Sequence, residues 1–215
     1  MPEINEKRRA SKILSRLKKA YPAAEPALEY QTPFQLLIST ILSAQCTDQR
    51  VNIVTKSLFK KYLMPEDYLK VPDPELEKDI FSTGFYKQKT KSIKNCCAML
   101  IEKYNGEVPK DFDELVKLPG VGRKTASVVA GNAFGIPAIA VDTHVTRLSN
   151  LFGFVKTKNQ EAIEKKLKKL FPEKDWVDSS HLMATHGRMV CIARRPKCNK
   201  CFLTDLCPGY NRKLV

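Results

Sequence analysis

The chain has 215 residues, 43% of them hydrophobic, which suffices for one large or two small domains with real cores and excludes a disordered polypeptide. Its 37 lysines and arginines outnumber 23 acidic residues, and the net charge of +14 points to a polyanionic partner, either nucleic acid or an anionic membrane surface. No apolar run is long enough to span a bilayer, and residues 1–19 are charged throughout with no apolar signal core, so the expectation is a cytoplasmic protein without a membrane partner.

In chain order, residues 4–20 place Ile4, Ile13, Leu14 and Leu17 at helical spacing beneath a face of lysines and arginines, read as a solvated basic face that adds to a general attraction for phosphate. Pro22, Pro26 and Pro33 mark the passage into a new unit, with a boundary near residue 25. Residues 34–45 are mostly apolar and predict a buried helix ending in Gln45; a second follows over 49–62. Pro65 predicts a turn, Pro72-Asp73-Pro74 a proline-started helix over 75–80, and Gly84-Phe85-Tyr86 a loop with exposed aromatics before a helix over 88–104. Further helices are expected over 143–151, 159–171 and 179–191. There is no strand pattern.

The seven cysteines do not read as a secreted disulfide framework, being odd in number with four crowded near the C-terminus. Cys46, Cys96 and Cys97 lie in apolar stretches and are expected as small buried hydrophobes. The fold class is therefore all-α, with the late helices pairing with the N-terminal one. Two helical domains result: a six-helix domain over 26–136, and a discontinuous one from 1–25 plus 137–215, with a cleft between them.

The centre of the chain is Leu118-Pro119-Gly120-Val121-Gly122-Arg123-Lys124-Thr125-Ala126. Residues 113–118 are amphipathic, 125–134 are small and apolar, and the stretch between them reads as a hairpin joining two helices. Gly120 and Gly122 tolerate positive φ and carry no Cβ, so a nucleic-acid backbone can approach, and the unpaired N–H groups of the next helix face a phosphate. Lys124 falls in the first helical turn, where the helix dipole disfavours a cation and lowers the cost of losing a proton. The helix climbs about 14 Å, Gly135-Ile136-Pro137 stops it, and the extended return of about 23 Å allows Asp142 to come back beside Lys124. Asp142 also stands at the N-cap of the following helix.

Cys191, Cys198, Cys201 and Cys207 have the spacing C-x6-C-x2-C-x5-C. Four thiolates this close can enclose a structural zinc or a [4Fe-4S] cluster. Zinc ordinarily uses two Cys-x2-Cys knuckles; only one occurs here, and Cys207-Pro208 echoes ferredoxin-like runs, so the cluster is favoured. The loop within it carries Arg194, Arg195 and Lys197, a charge that suits a DNA backbone.

Together, LPGVGRKTA, VDTH, LLISTILSAQCTDQRVN, HGR and the cysteine spacing resemble the endonuclease III family of helix-hairpin-helix DNA glycosylases, over about residues 10–210. The resemblance implies a bifunctional DNA glycosylase/AP lyase of base excision repair. Its partner would be double-stranded DNA with oxidised pyrimidines or abasic sites, its cofactor a [4Fe-4S] cluster, and its working form a monomer. It assigns Lys124 as nucleophile and Asp142 as the group stabilising charge on the sugar. Gln45 and Phe85 match the side chains that fill the gap left by a flipped nucleotide, although an aliphatic residue often stands where Phe85 does. The hairpin, Gly120 to Arg123, would hold a phosphate, with an alkali cation at its carbonyls. Two other readings compete. Mismatch glycosylases of this fold lack the lysine, and those acting on adenine place a glutamate near where Thr40 stands. A non-enzymatic DNA-binding module would account for the charge, hairpin and cluster but not for a lysine and aspartate brought together.

Overall fold

The computed structural model describes residues 2–22 and 26–211, with side chains from residue 5 onward. The side chain of Ile4 and the chain at the boundary expected near residue 25 lie outside the described residues. The elements are helices α1 (Pro2–Ala20), α2 (Pro33–Leu42), α3 (Asp48–Lys61), α4 (Pro65–Lys70), α5 (Asp73–Ile80), α6 (Tyr86–Tyr104), α7 (Phe112–Lys117), α8 (Arg123–Phe134), α9 (Thr143–Leu151), α10 (Gln160–Leu170), α11 (Trp176–Met189) and α12 (Pro208–Asn211), with short 3-10 turns and no strand among the described residues.

The chain divides into two compact units, Pro26–Ile136 and Met1–Glu25 with Pro137–Val215. The contiguous unit is built on α2, whose Leu36, Leu37, Ile38, Ile41 and Leu42 are all buried. Thr32 caps its start by accepting from the Gln35 N–H, and Pro33 sits at the first helical position, where no hydrogen bond is lost. Leu58, Leu76, Ile93, Leu100 and Val129 pack into the same core. In the discontinuous unit, Ile13 and Leu17 of α1 share a core with Val145 and Leu148 of α9, Ile163 and Leu167 of α10, and Leu182 and Met183 of α11.

Three sequence expectations are corrected. The helix expected over 34–45 ends at Leu42, because the chain turns through Ser43 and Ala44 and Gln45 takes φ +54, which no helix accommodates. Cys46 therefore lies in a bend, half-buried, and is no buried helical residue. The turn expected at Pro65 is helix α4: the Asp67 carboxylate accepts from the Leu63 and Met64 N–H groups at 2.8 and 3.1 Å, stabilising a start with proline at its first position. The contiguous unit accordingly holds seven α-helices among its described residues where six were expected.

Candidate functional site

The hairpin of the contiguous unit joins α7 to α8. Asp111 caps α7 by accepting from the Asp113 and Glu114 N–H groups. Leu115, Leu118 and Val121 are buried and pin the hairpin to the core. Pro119 and Gly120 form the centre of a β-turn closed by the Val121 N–H donating to the Leu118 carbonyl at 3.0 Å, with Gly120 at φ +81. A Cβ on Gly120 would stand 2.9 Å from the Ser92 Cβ, so this glycine is required by conformation and by packing. Gly122 differs from the expectation. Its φ is −90, which any residue adopts, and nothing lies within 4 Å of where its Cβ would be. Its contribution is open space at the N-cap of α8, which no side chain caps.

Arg123 and Lys124 are the first two residues of α8, both exposed. The Arg123 guanidinium lies over the Phe112 ring, 5.1 Å from its centre, while the Val121 side chain points into the core and can offer a ligand only its backbone. Lys124 thus projects beside an uncapped helix start. Thr40, where a competing reading would need an acid, is buried and spends its hydroxyl on the Leu36 and Leu37 carbonyls of its own helix.

Gln45 and Phe85 stand on two separate turns of this unit. Both are exposed, Phe85 to 63%, and both have left-handed backbone, φ +54 and +49. Tyr86, expected in the loop, is instead the first residue of α6, and its ring packs 4.9 Å from that of exposed Phe81.

In the discontinuous unit, Asp142 is half-buried at the N-cap of α9, its Oδ1 accepting from the Val145 N–H at 2.7 Å. Burial lowers the pKa of neighbouring His144, and the Asp142 charge works against that shift. Gly187 permits α11 to lie close on α9: a Cβ there would meet the His144 Nδ1 at 2.8 Å.

Cys191, Cys198, Cys201 and Cys207 line one pocket together with Phe152 and His186. No three His, Cys, Asp or Glu side chains among the described residues converge on one ion-sized point, and the four cysteines instead ring a space. A four-thiol donor set around one partly open pocket fits an iron–sulfur cluster. Burial pushes the Cys191 and Cys201 thiols up; Arg147 pulls Cys191 back, and the Leu203 N–H donates to the Cys201 sulfur at 3.4 Å. Arg194, Arg195 and Lys197 are exposed on the loop between the first two cysteines, whose base is closed by the Lys197 N–H donating to the Val190 carbonyl at 2.9 Å.

Sequence reasoning missed the groups that hold this loop. The α1 face is no merely solvated surface: Arg9 donates to the Phe152 and Leu206 carbonyls, and Arg16 to the Phe202 carbonyl at 2.8 Å while forking onto Asp205. Arg147 donates to the Gly187 and Cys191 carbonyls at 3.0 and 2.6 Å. Tyr21 and His186 complete the surround, with Oη and Nδ1 3.0 Å apart and His186 Nε2 3.6 Å from the Cys201 sulfur. The HGR triplet was the one signal in the sequence that pointed to His186.

Residues 38–173 match the HhH-GPD superfamily of base excision DNA repair proteins, and residues 191–207 match the iron-sulfur binding domain of endonuclease III. The chain is 50% identical over 206 residues to endonuclease III of Synechocystis sp., covering 95% of this chain and 94% of that one. Two solved structures are similar over 97% of this chain and 99% of theirs: a non-covalent endonuclease III–DNA complex, 50% identical with a TM-score of 0.93, and a trapped endonuclease III–DNA covalent intermediate, 49% identical with a TM-score of 0.92. With both halves of its sequence signature matched and half its residues shared along nearly the whole chain, the protein belongs to the endonuclease III family of the HhH-GPD superfamily.

Proposed function

We propose that this chain excises oxidised pyrimidines from duplex DNA, with Lys124 as nucleophile and Asp142 as its acid–base and electrostatic partner. The chain is a DNA glycosylase and AP lyase of base excision repair and carries an iron–sulfur cluster. The observation that carries the residue-level reading is Lys124 itself, an exposed amine on the first turn of α8 directly after a hairpin whose Gly122 leaves room for a phosphate backbone.

In this mechanism the damaged nucleotide leaves the stack, and Gln45 and Phe85 fill the gap. The neutral Lys124 amine attacks C1′; the glycosidic C–N bond breaks, its electron pair leaves with the base, and the base takes up a proton. Asp142 stabilises the positive charge developing on the sugar and moves the amine proton. The sugar ring opens to a protonated Schiff base between Lys124 and C1′. Loss of a proton from C2′ then expels the 3′ phosphate by β-elimination, and water hydrolyses the imine to release the lysine.

Cys191, Cys198, Cys201 and Cys207 would hold the cluster as a [4Fe-4S] centre. When bound it fixes the loop that presents Arg194, Arg195 and Lys197 to the DNA backbone. The hairpin carbonyls would take an alkali cation, and the protein would act as a monomer.

The test is borohydride trapping on a duplex with one thymine glycol, native protein against Lys124→Gln. The expected result is a covalent adduct that the variant does not form. An adduct that persists in Lys124→Gln would move the nucleophile elsewhere.

A further inference from the structure

Lys89 is set apart from the other lysines of α6 by being 4% exposed. Its Nζ donates to two main-chain carbonyls, Leu42 at 2.7 Å and Thr83 at 2.8 Å. An ammonium withdrawn from water is costly unless its donors are matched, so this one must hold something that the fold needs held. Leu42 ends α2, and its carbonyl is among the four that a helix leaves without an internal donor. Thr83 ends the 3-10 turn that begins at Phe81.

What lies just beyond each carbonyl decides the matter. Three residues after Leu42 comes Gln45, and two after Thr83 comes Phe85. These are two of the three described non-glycine residues with positive φ; the other, Asn105, closes α6. Left-handed backbone is strained for such residues and persists where the surroundings fix it. One ammonium reaches both carbonyls, so the two turns that carry these residues lie side by side.

We infer that Lys89 is a positioning residue: by tying the end of α2 to the turn before Phe85, its ammonium presents Gln45 and Phe85 to the duplex as one unit. The inference rests on the gap-filling roles proposed above for those two side chains. A lysine that served only to fill space would be replaceable by an apolar side chain of its length, whereas a lysine that sets the height of two wedges would not.

The experiment measures single-turnover base release from two duplexes, one with thymine glycol opposite adenine and one with it opposite an abasic position, where no pair has to be broken. Lys89→Met, Lys89→Gln and Lys89→Arg are compared with Gln45→Ala and Phe85→Ala, thermal unfolding identifying the folded variants. Lys89→Met is expected to slow release from the paired duplex roughly tenfold, the scale of one lost charge-assisted bond, and to affect the unpaired duplex much less. Lys89→Arg should recover most of the rate. Lys89→Gln, which can serve one carbonyl, should fall between, and it carries the comparison if Lys89→Met does not fold. Adding Gln45→Ala to the Lys89 variant should cost less than it does alone. Equal slowing on both duplexes, or full additivity with Gln45→Ala, would overturn the inference. If Gln45→Ala and Phe85→Ala both leave the paired duplex unaffected, the gap-filling reading fails and Lys89 loses its role with it; if they slow release and Lys89→Met does not, only the inference about Lys89 fails.

Discussion

The Nε2 atom of His186 stands 3.6 Å from the sulfur of Cys201, and the Nδ1 atom of the same buried ring is 3.0 Å from the Tyr21 hydroxyl. A cysteine bound to iron carries no proton, so with Cys201 in the ligand role proposed for it the imidazole would donate Nε2–H to sulfur and accept from Tyr21 at Nδ1. A hydrogen bond to a cluster sulfur favours the more reduced, more negative state. His186→Phe should therefore lower the reduction potential of the cluster, and Tyr21→Phe should move it the same way by less. Voltammetry on iron-replete protein reads this directly, and unchanged potentials with full iron content would contradict it.

The two hairpin glycines should respond differently to a methyl group. Gly120→Ala meets both a positive φ and the Ser92 Cβ at 2.9 Å, and should cost about 1–3 kcal/mol of stability. Gly122→Ala meets neither and should leave the unfolding midpoint close to native while weakening duplex binding, because the added methyl occupies the space proposed for a phosphate. Chemical denaturation and a binding titration separate the two effects. Equal destabilisation by both substitutions would show that the hairpin is uniformly tight.

Asp142 has a structural duty, the N-cap of α9, that must be kept apart from the chemical role proposed for it. Asparagine caps a helix about as well as aspartate, so Asp142→Asn should preserve α9 and the melting curve while base release falls on the order of 10²- to 10⁴-fold. Asp142→Ala should lose the Val145 hydrogen bond as well, at about 1 kcal/mol. Normal base release by Asp142→Asn would leave only the cap.

The arginines of the cysteine loop are exposed, and sequence-independent phosphate contact is the role proposed for them. Arg194→Ala with Arg195→Ala should weaken duplex binding uniformly across sequences and reduce the slope of log affinity against log salt by about 2. A titration between low and moderate salt that gives an unchanged slope would remove both residues from the interface.

Much of the helical pattern was legible because burial imposes a helical period on apolar residues, as in Ile13, Leu14 and Leu17 of α1, and because Asp142 and Gly120 occupy positions with strong local requirements. What escaped was fixed by particular side-chain partners, some a few residues away and others far along the chain. Pro65 begins either a turn or a helix, and the Asp67 carboxylate on the Leu63 and Met64 N–H groups decides for the helix. Arg9, Arg16 and Lys89 look like ordinary surface cations in sequence. Their roles depend on carbonyl oxygens that only the folded chain brings to them. The grouping of the cysteines was readable from spacing; Tyr21, just beyond α1, and Arg147 of α9, which support them, were not.

The bond from Arg16 to Asp205 joins residues 189 positions apart and so also orders events during synthesis. Helix α1 is synthesised well before its partners on the cysteine loop. The contiguous unit can close as soon as residue 136 is out, while the apolar face of α1 stays uncovered until α9, α10 and α11 have been made. Iron and sulfide would then be taken up late, and a chain truncated before Cys198 would be left with a finished hairpin and with Arg16 lacking its partners at Phe202 and Asp205.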